Sequence, residues 1–93
     1  PYQPRNWGLL NNLAWHLCIS KQDLKHAEQL SRSTIMAQPD NPVFLDTYAW
    51  ILYHMGQYQE ALFYIQRAIE KMKGEPIKEI EQHYKSILRK AKK

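Results

Sequence analysis

Cysteine is almost absent from this sequence, and long apolar runs are absent altogether. The single cysteine, Cys18, cannot form an intramolecular disulfide, so stability does not depend on an oxidising compartment, although such a compartment is not excluded. No apolar run approaches the roughly 20 residues that are needed to cross a bilayer. We therefore expect a soluble module without a membrane span.

A starting methionine and a secretory leader are also missing. The sequence starts at Pro1, and no basic and apolar leader precedes the globular pattern. We expect the chain to be trimmed from a larger precursor, so its native location cannot be read from it. If the source is bacterial, both the cytoplasm and the periplasm are open.

Acidic residues are scarce at the C-terminal end. Residues 1–70 contain five Lys or Arg against six Asp or Glu, whereas residues 71–93 contain eight against three, which accounts for the net charge of +4. Clustered cations attract polyanions, but cations near a helix C-terminus also interact favourably with the helix dipole. A nucleic-acid surface usually interleaves exposed aromatic residues, and only Tyr84 is nearby. We therefore favour a structural role over nucleic-acid binding for the basic residues Lys85, Arg89, Lys90, Lys92 and Lys93.

The sequence does contain two similar segments, at about residues 8–42 and 43–76. Ala14-Trp15 of the first segment recurs as Ala49-Trp50 in the second, 35 residues later. This period is that of a helical-hairpin repeat, and about three such units are usually needed for stability. Either residues 77–93 supply a substitute for the third unit, or the chain is part of a longer array.

Apolar residues at three- and four-residue spacing predict five helices. Asp23 can cap the second helix, Gly56 and Gly74 suit the ends of the third and fourth, and Pro76 can occupy the first turn of the fifth. The first four are predicted over about residues 8–20, 24–37, 43–55 and 58–71. We therefore predict an all-α fold: a short α-solenoid of two helical hairpins followed by a C-terminal capping helix.

The second segment resembles the tetratricopeptide repeat family. Tyr48-Ala49 occupies the Leu-Gly position of that family, Gly56-Gln57-Tyr58 forms the turn, and Ala61 and Ala68 occupy the two small positions of the second helix. Lys73 stands where the family has Pro. The string from Leu45 to Ala61 resembles repeats of long bacterial proteins of this family.

The first segment is a degenerate copy of the same repeat. It has Lys21-Gln22-Asp23-Leu24 in place of the Gly-aromatic turn, and Thr34 in place of the second Ala. The resemblance covers residues 8–76 and leaves residues 77–93 as a capping helix or a truncated third repeat, within one domain of residues 1–93.

The resemblance implies a non-catalytic protein–protein interaction module that binds a peptide or protein segment in a concave groove. The alternative is a structural end-cap of a longer solenoid, with its groove occupied by the protein's own chain and with neighbouring repeats as partners. No small-molecule substrate or cofactor is expected. The groove also lacks the lysines that some family members use to bind a C-terminal carboxylate, so we do not expect that ligand.

The family's groove positions identify the residues expected to contact the partner. Short polar residues suit hydrogen bonding to a peptide backbone, and Trp and Tyr offer rigid binding surfaces. Trp15 and Trp50 could equally pack between helices as core. The candidate groove residues are Asn11, Trp15, Cys18, Asp46, Trp50, Tyr53 and His54, with Gly8, Ile19 and Val43 at the remaining groove positions.

Pairs of reactive residues do not converge in this sequence. His16 and Cys18 lie two residues apart, which places them about 200° apart around a helix. Asp46 and His54 are separated by about 12 Å along the helix axis, beyond hydrogen-bond reach. The four His and one Cys lack the spacing of a metal site. We therefore expect neither catalysis nor a bound metal.

Overall fold

The computed structural model describes residues 6–72, 74 and 76–92, and within them the chain forms five helices and no strand. The helices are α1 (Trp7–Ser20), α2 (Leu24–Ala37), α3 (Pro42–His54), α4 (Tyr58–Lys71) and α5 (Lys78–Ala91). The predicted all-α class is confirmed. Lys73, which was predicted to stand at a family proline position, lies outside the described residues. None of the described helices is long and apolar enough to cross a membrane.

Asparagine and aspartate side chains fix the starts of the first three helices. Asn6, Asp23 and Asn41 each accept a hydrogen bond from a backbone N–H two or three residues later, at 2.9 to 3.0 Å. Each such cap stabilises its helix by about 1 kcal/mol. Gly56 and Gly74, with φ of +83° and +81°, follow α3 and α4 in the left-handed conformation that favours glycine. The hydrogen bond from the backbone N–H of His26 to the Asp23 side chain confirms the cap predicted there.

The start of α5 corrects one prediction. Pro76 does not lie in the first turn, because Ile77 has extended backbone (φ −100°, ψ 110°) and acts as the N-cap. The carbonyl of Ile77 accepts from the N–H groups of Ile80 and Glu81 at 3.0 and 3.2 Å, so the helical hydrogen bonds begin there. Pro76 belongs to the connection between α4 and α5.

Helix α3 is the centre of the molecule and packs against all four other helices. Short turns join α1 to α2 and α3 to α4, so each pair is antiparallel, and α1, α3 and α5 lie side by side in that order. Helices α2 and α4 have no backbone contact with each other in the described part of the chain. The molecule measures 44 × 32 × 18 Å, and its smallest dimension corresponds to about two helix diameters.

The core is divided into two clusters by the position of α3. Ile51 packs with residues of α1 and α2, whereas Leu45 faces a larger cluster with α4 and α5 that includes Ile65, Ile80 and Ile87. Small residues at the helix crossings let the backbones approach closely. The fully buried alanines are Ala14, Ala27, Ala49, Ala61 and Ala68.

Candidate interaction surfaces

The side of the molecule formed by α1, α3 and α5 carries a cluster of rings, which we call the aromatic face: Trp15, Trp50, Tyr53, His54 and His83. Trp50 is at its centre. Its ring is stacked on Tyr53, with centroids 4.7 Å apart and planes 7° apart, and on His83 at 3.9 Å and 17°. His54 meets the edge of Trp50 at 5.0 Å. The central tryptophan is therefore held by neighbours from two helices.

His83 brings α5 onto the floor of this face. Its Nδ1 lies 2.7 Å from Oδ1 of Asp46, and both residues are buried, with 9% and 3% of their surfaces exposed. An ionised carboxylate can only accept, so the Nδ1–H of His83 donates this hydrogen bond. The ring centroid of Trp15 is 5.7 Å away. One histidine thus joins α5 to α3 and also reaches α1.

Two of the predicted groove residues are not available to a partner. Asp46 was expected to contact a peptide, but it is buried and bonded to His83. Cys18 is fully buried beside Ala14 and Ile51, because it lies on the side of α1 that faces the core. Burial raises the pKa of the Cys18 thiol to about 11, partly offset by the charge of Lys21. The predictions for both residues are wrong.

Asn11 is a third buried residue of the predicted groove. Only 5% of its surface is exposed, and its Oδ1 has no hydrogen-bond partner among the described residues. It therefore lies beneath the surface, and the prediction of a peptide contact is wrong for this side chain as well.

The remaining predicted groove residues do reach the surface. Trp15, Trp50, Tyr53 and His54 are half-buried, and Gly8, Ile19 and Val43 are exposed. The two tryptophans therefore combine both sequence-based alternatives, since each packs on its neighbours and keeps part of its ring open. Burial lowers the pKa of His54, and the nearby Lys21 and His83 lower it further.

Sequence reasoning missed His83, although a signal was present. His83 lies three residues after Ile80 and four before Ile87, which is the spacing of the inward side of α5. Because histidine is not apolar, a search for apolar spacing does not identify it. Its partner Asp46 was selected, but as a surface residue.

A second polar network, which sequence reasoning also missed, ties α2 to α3. The hydroxyl of Tyr48 donates to Oε2 of the buried Glu28 at 2.7 Å, and Arg32 donates to both oxygens of the same carboxylate. Burial raises the pKa of Tyr48 to about 12, and the hydrogen bond to Glu28 raises it as well. The network fixes the position of α3 against the first helix pair.

The outer side of α1 exposes a surface that we call the apolar end. Leu9 and Leu13 are 63% and 47% exposed. They border a groove of about 680 Å³ lined by Leu9, Leu10, Asn12, Leu13, His16 and Leu30. The apolar end is therefore an apolar groove on the outer side of α1 that no other described residue covers.

No metal-binding cluster is present in the part of the chain that the structure describes. No three His, Cys, Asp or Glu side chains there could hold one metal ion. The hydrogen bond of His83 goes to Asp46, and aromatic rings lie beside its own ring. Comparisons with protein-family models, with curated proteins and with solved structures give no match for this chain.

Proposed function

We propose that this chain is a non-catalytic protein–protein interaction module of the tetratricopeptide repeat kind, which docks a helical pair on its apolar end. Its two helix pairs and the burial of the small residues at the family positions, Ala49, Ala61 and Ala68, support the family assignment. The observation that carries the docking proposal is a difference in burial between equivalent positions of α1 and α3.

Residues of α3 that face the first helix pair are buried. Tyr48 bonds to Glu28 of α2, and Ile51 packs on Ala14, Cys18 and Ala27. Phe44 and Thr47 lie on the same side of the helix and are 5% and 3% exposed. Phe44 and Tyr48 also share a core cluster with Ile35 of α2, so the first helical pair covers much of the side of α3 that these four residues form.

The equivalent residues of α1, each 35 positions earlier, are exposed. The residues of α1 that correspond to Phe44, Thr47, Tyr48 and Ile51 are Leu9, Asn12, Leu13 and His16. These four residues of α1 all line the groove of the apolar end. The apolar end is therefore the surface of α1 that matches the covered surface of α3. A preceding helical pair would cover it in the same way, whichever polypeptide supplies that pair.

The chemistry of the docked pair follows from the surface that covers α3. Helix α2 presents small and apolar side chains there, with Ala27, Ser31, Thr34 and Ile35 buried. A pair that fits the apolar end should present a similar surface, but it does not need the carboxylate of Glu28. Leu13 replaces Tyr48 and has no hydroxyl to offer, so a buried carboxylate there would be left without that partner.

A tandem protein tests this proposal directly. A copy of residues 7–41 carrying Glu28→Ala, joined in front of the chain, should dock on the apolar end and raise the melting temperature by about 5 °C or more, because Leu9 and Leu13 become buried. Leu9→Glu/Leu13→Glu in the original copy should cancel that increase.

Matched variants separate docking from a general effect of charge. Met36 and Phe63 are also exposed, at 77% and 56%, but lie on α2 and α4. Met36→Glu/Phe63→Glu should leave the gain in melting temperature intact. An unchanged melting temperature in the tandem protein, or an equal response to both double variants, would contradict docking at the apolar end.

The aromatic face is a second candidate binding surface, favoured by its half-exposed rings. Rigid aromatic side chains supply much of the binding energy at protein interfaces. Trp50→Ala would also remove the ring that stacks on His83, so Tyr53→Ala/His54→Ala is the cleaner variant. If a peptide or protein segment binds here, the Tyr53→Ala/His54→Ala variant should no longer capture a protein that the Leu9→Glu/Leu13→Glu variant still captures. Capture that is unaffected by the variant would rule this surface out.

A further inference from the structure

The outward side of α5 carries a line of cations, which we call the basic stripe: Lys78, Lys85, Arg89 and Lys92, with Gln82 between the first two. All five side chains are exposed. At 100° per residue they fall within an arc of about 80°, opposite the buried Ile80 and Ile87, and the line is about 21 Å long. Lys78, Lys85 and Lys92 follow one another at intervals of seven residues.

The cations of the stripe have no ion-pair partner among residues 6–72, 74 and 76–92. Elsewhere in the molecule Arg32 pairs with Glu28, and both Arg67 and Lys71 approach Asp40. Lys90, which points away from the stripe, lies 5.9 Å from the ring centre of Tyr58. The stripe therefore holds the cations of α5 that neither a carboxylate nor an aromatic ring engages.

The helix dipole explains only part of the stripe. Arg89 and Lys92 are at the C-terminal end of α5, where cations are favourable. Lys78 is the first residue of the helix, where a positive charge opposes the dipole, and Lys85 is in the middle. The dipole therefore does not explain the charges of Lys78 and Lys85, which an anionic partner would.

We propose that the basic stripe docks an acidic α-helix of another protein. Seven-residue spacing matches a helix that lies nearly parallel or antiparallel to α5 and carries Glu or Asp at the same interval. Glu79 and Glu81 are exposed beside the N-terminal half of the stripe, so the partner should carry a basic residue near that end. This mixed charge pattern favours a protein over nucleic acid, whose phosphates would be repelled by both glutamates.

A shallow cleft on the flank of α5 gives the docked helix a second contact. Tyr84 and Ile69 form its apolar part, beside the polar Gln66 and Glu70. Tyr84, about 100° around the helix from Lys85, lines this cleft of about 430 Å³ with Gln66, Ile69 and Glu70 of α4. An aliphatic side chain on the flank of the partner helix would fit here. Exposed ion pairs alone are weak, so binding should need both the acidic line and this apolar contact.

Two synthetic helical peptides of equal composition test the proposal. The first carries Glu at positions that match the stripe and Leu on one flank; the second has the same residues in scrambled order. At about 25 mM salt the matched peptide should bind at least about tenfold more tightly than the scrambled one. The Lys85→Glu/Arg89→Glu variant should bind the matched peptide about tenfold more weakly than the original protein does. The affinity of the original protein for this peptide should also fall as salt is added.

Lys21→Glu/Lys25→Glu is the matched control, since it changes the net charge equally at exposed lysines away from α5. It should retain most of the affinity for the matched peptide, and circular dichroism should show that both variants are folded. If Lys85→Glu/Arg89→Glu loses helix, Lys85→Gln/Arg89→Gln takes its place.

Three outcomes would overturn the proposal. The first is equal affinity for the matched and the scrambled peptide. The second is an equal loss of affinity for the matched peptide in Lys85→Glu/Arg89→Glu and in Lys21→Glu/Lys25→Glu. The third is tighter binding to duplex DNA than to the matched peptide. The stripe and the apolar end lie on different helices, so this result is independent of the tandem experiment.

Discussion

The contact between His83 and Asp46 allows a quantitative prediction for the whole fold. His83→Ala removes the partner of a carboxylate that is only 3% exposed, and it removes the ring stacked on Trp50 at 3.9 Å. Breaking a buried pair by removing one partner typically costs 3–5 kcal/mol. Loss of the imidazole ring would open Asp46 to water, so we take the lower end of this range and expect a loss of about 3 kcal/mol.

This loss is large for a chain of 93 residues. Proteins of this length are stable by about 5–14 kcal/mol, and each kcal/mol corresponds to about 4–8 °C in melting temperature. His83→Ala should therefore melt about 12–24 °C below the original protein, followed by circular dichroism. Gln82→Ala, the exposed neighbour on α5, should change stability by less than about 0.5 kcal/mol.

A double-mutant cycle shows whether the two residues act as a pair. Asp46→Ala, His83→Ala and the double variant should give a coupling energy of about 1–3 kcal/mol from urea denaturation. A value near zero, or a His83→Ala protein as stable as Gln82→Ala, would refute the conclusion that this pair holds α5 against α3.

Three further predictions concern titratable groups that are buried or half-buried, namely Tyr48, Cys18 and His54. Tyr48→Phe should cost about 1.5 kcal/mol in urea denaturation, because Glu28 loses a donor, whereas Tyr64→Phe should be nearly neutral. Because burial holds the pKa of Cys18 at about 11 rather than 9.0, alkylation at pH 8 should be at least about 100-fold slower in the native than in the unfolded protein; equal rates would refute its burial. The lowered pKa of His54 means that the unfolded chain binds more protons below pH 6.5. The stability from His54 is thus present above pH 6.5 and lost as pH falls through the folded-state pKa, and His54→Gln should reduce this dependence.

The helices could be predicted from the sequence because local signals determine them. The cap at Asp23, the glycine at Gly56 and the apolar spacing of α4 each act within a few residues of chain. Pro76 was misplaced for a local reason too, since the extended backbone of Ile77 starts α5 two residues later than proline chemistry suggested.

The surface residues were harder to predict because exposure depends on the neighbouring helices. The groove positions of the family that the sequence resembles predicted Trp50, Tyr53 and His54, which reach the surface, together with Asp46 and Cys18, which do not. Periodicity specifies which side of a helix is apolar, but it does not specify which helix covers that side. The burial of Asp46 depends on a histidine 37 residues later in the sequence, and no local pattern reports such a contact.

The pair formed by His83 and Asp46 also explains why α5 occupies one position against the rest of the molecule. Apolar contacts such as those of Ile80 and Ile87 are non-directional, so a turn of α5 could shift along α3 and still bury them. A hydrogen bond of 2.7 Å between two buried groups cannot survive such a shift, because both groups would then lose their partners. Replacing a buried pair by apolar residues is often neutral for stability. The contribution of this pair is therefore to the register of α5, and that register places the ring of His83 on Trp50.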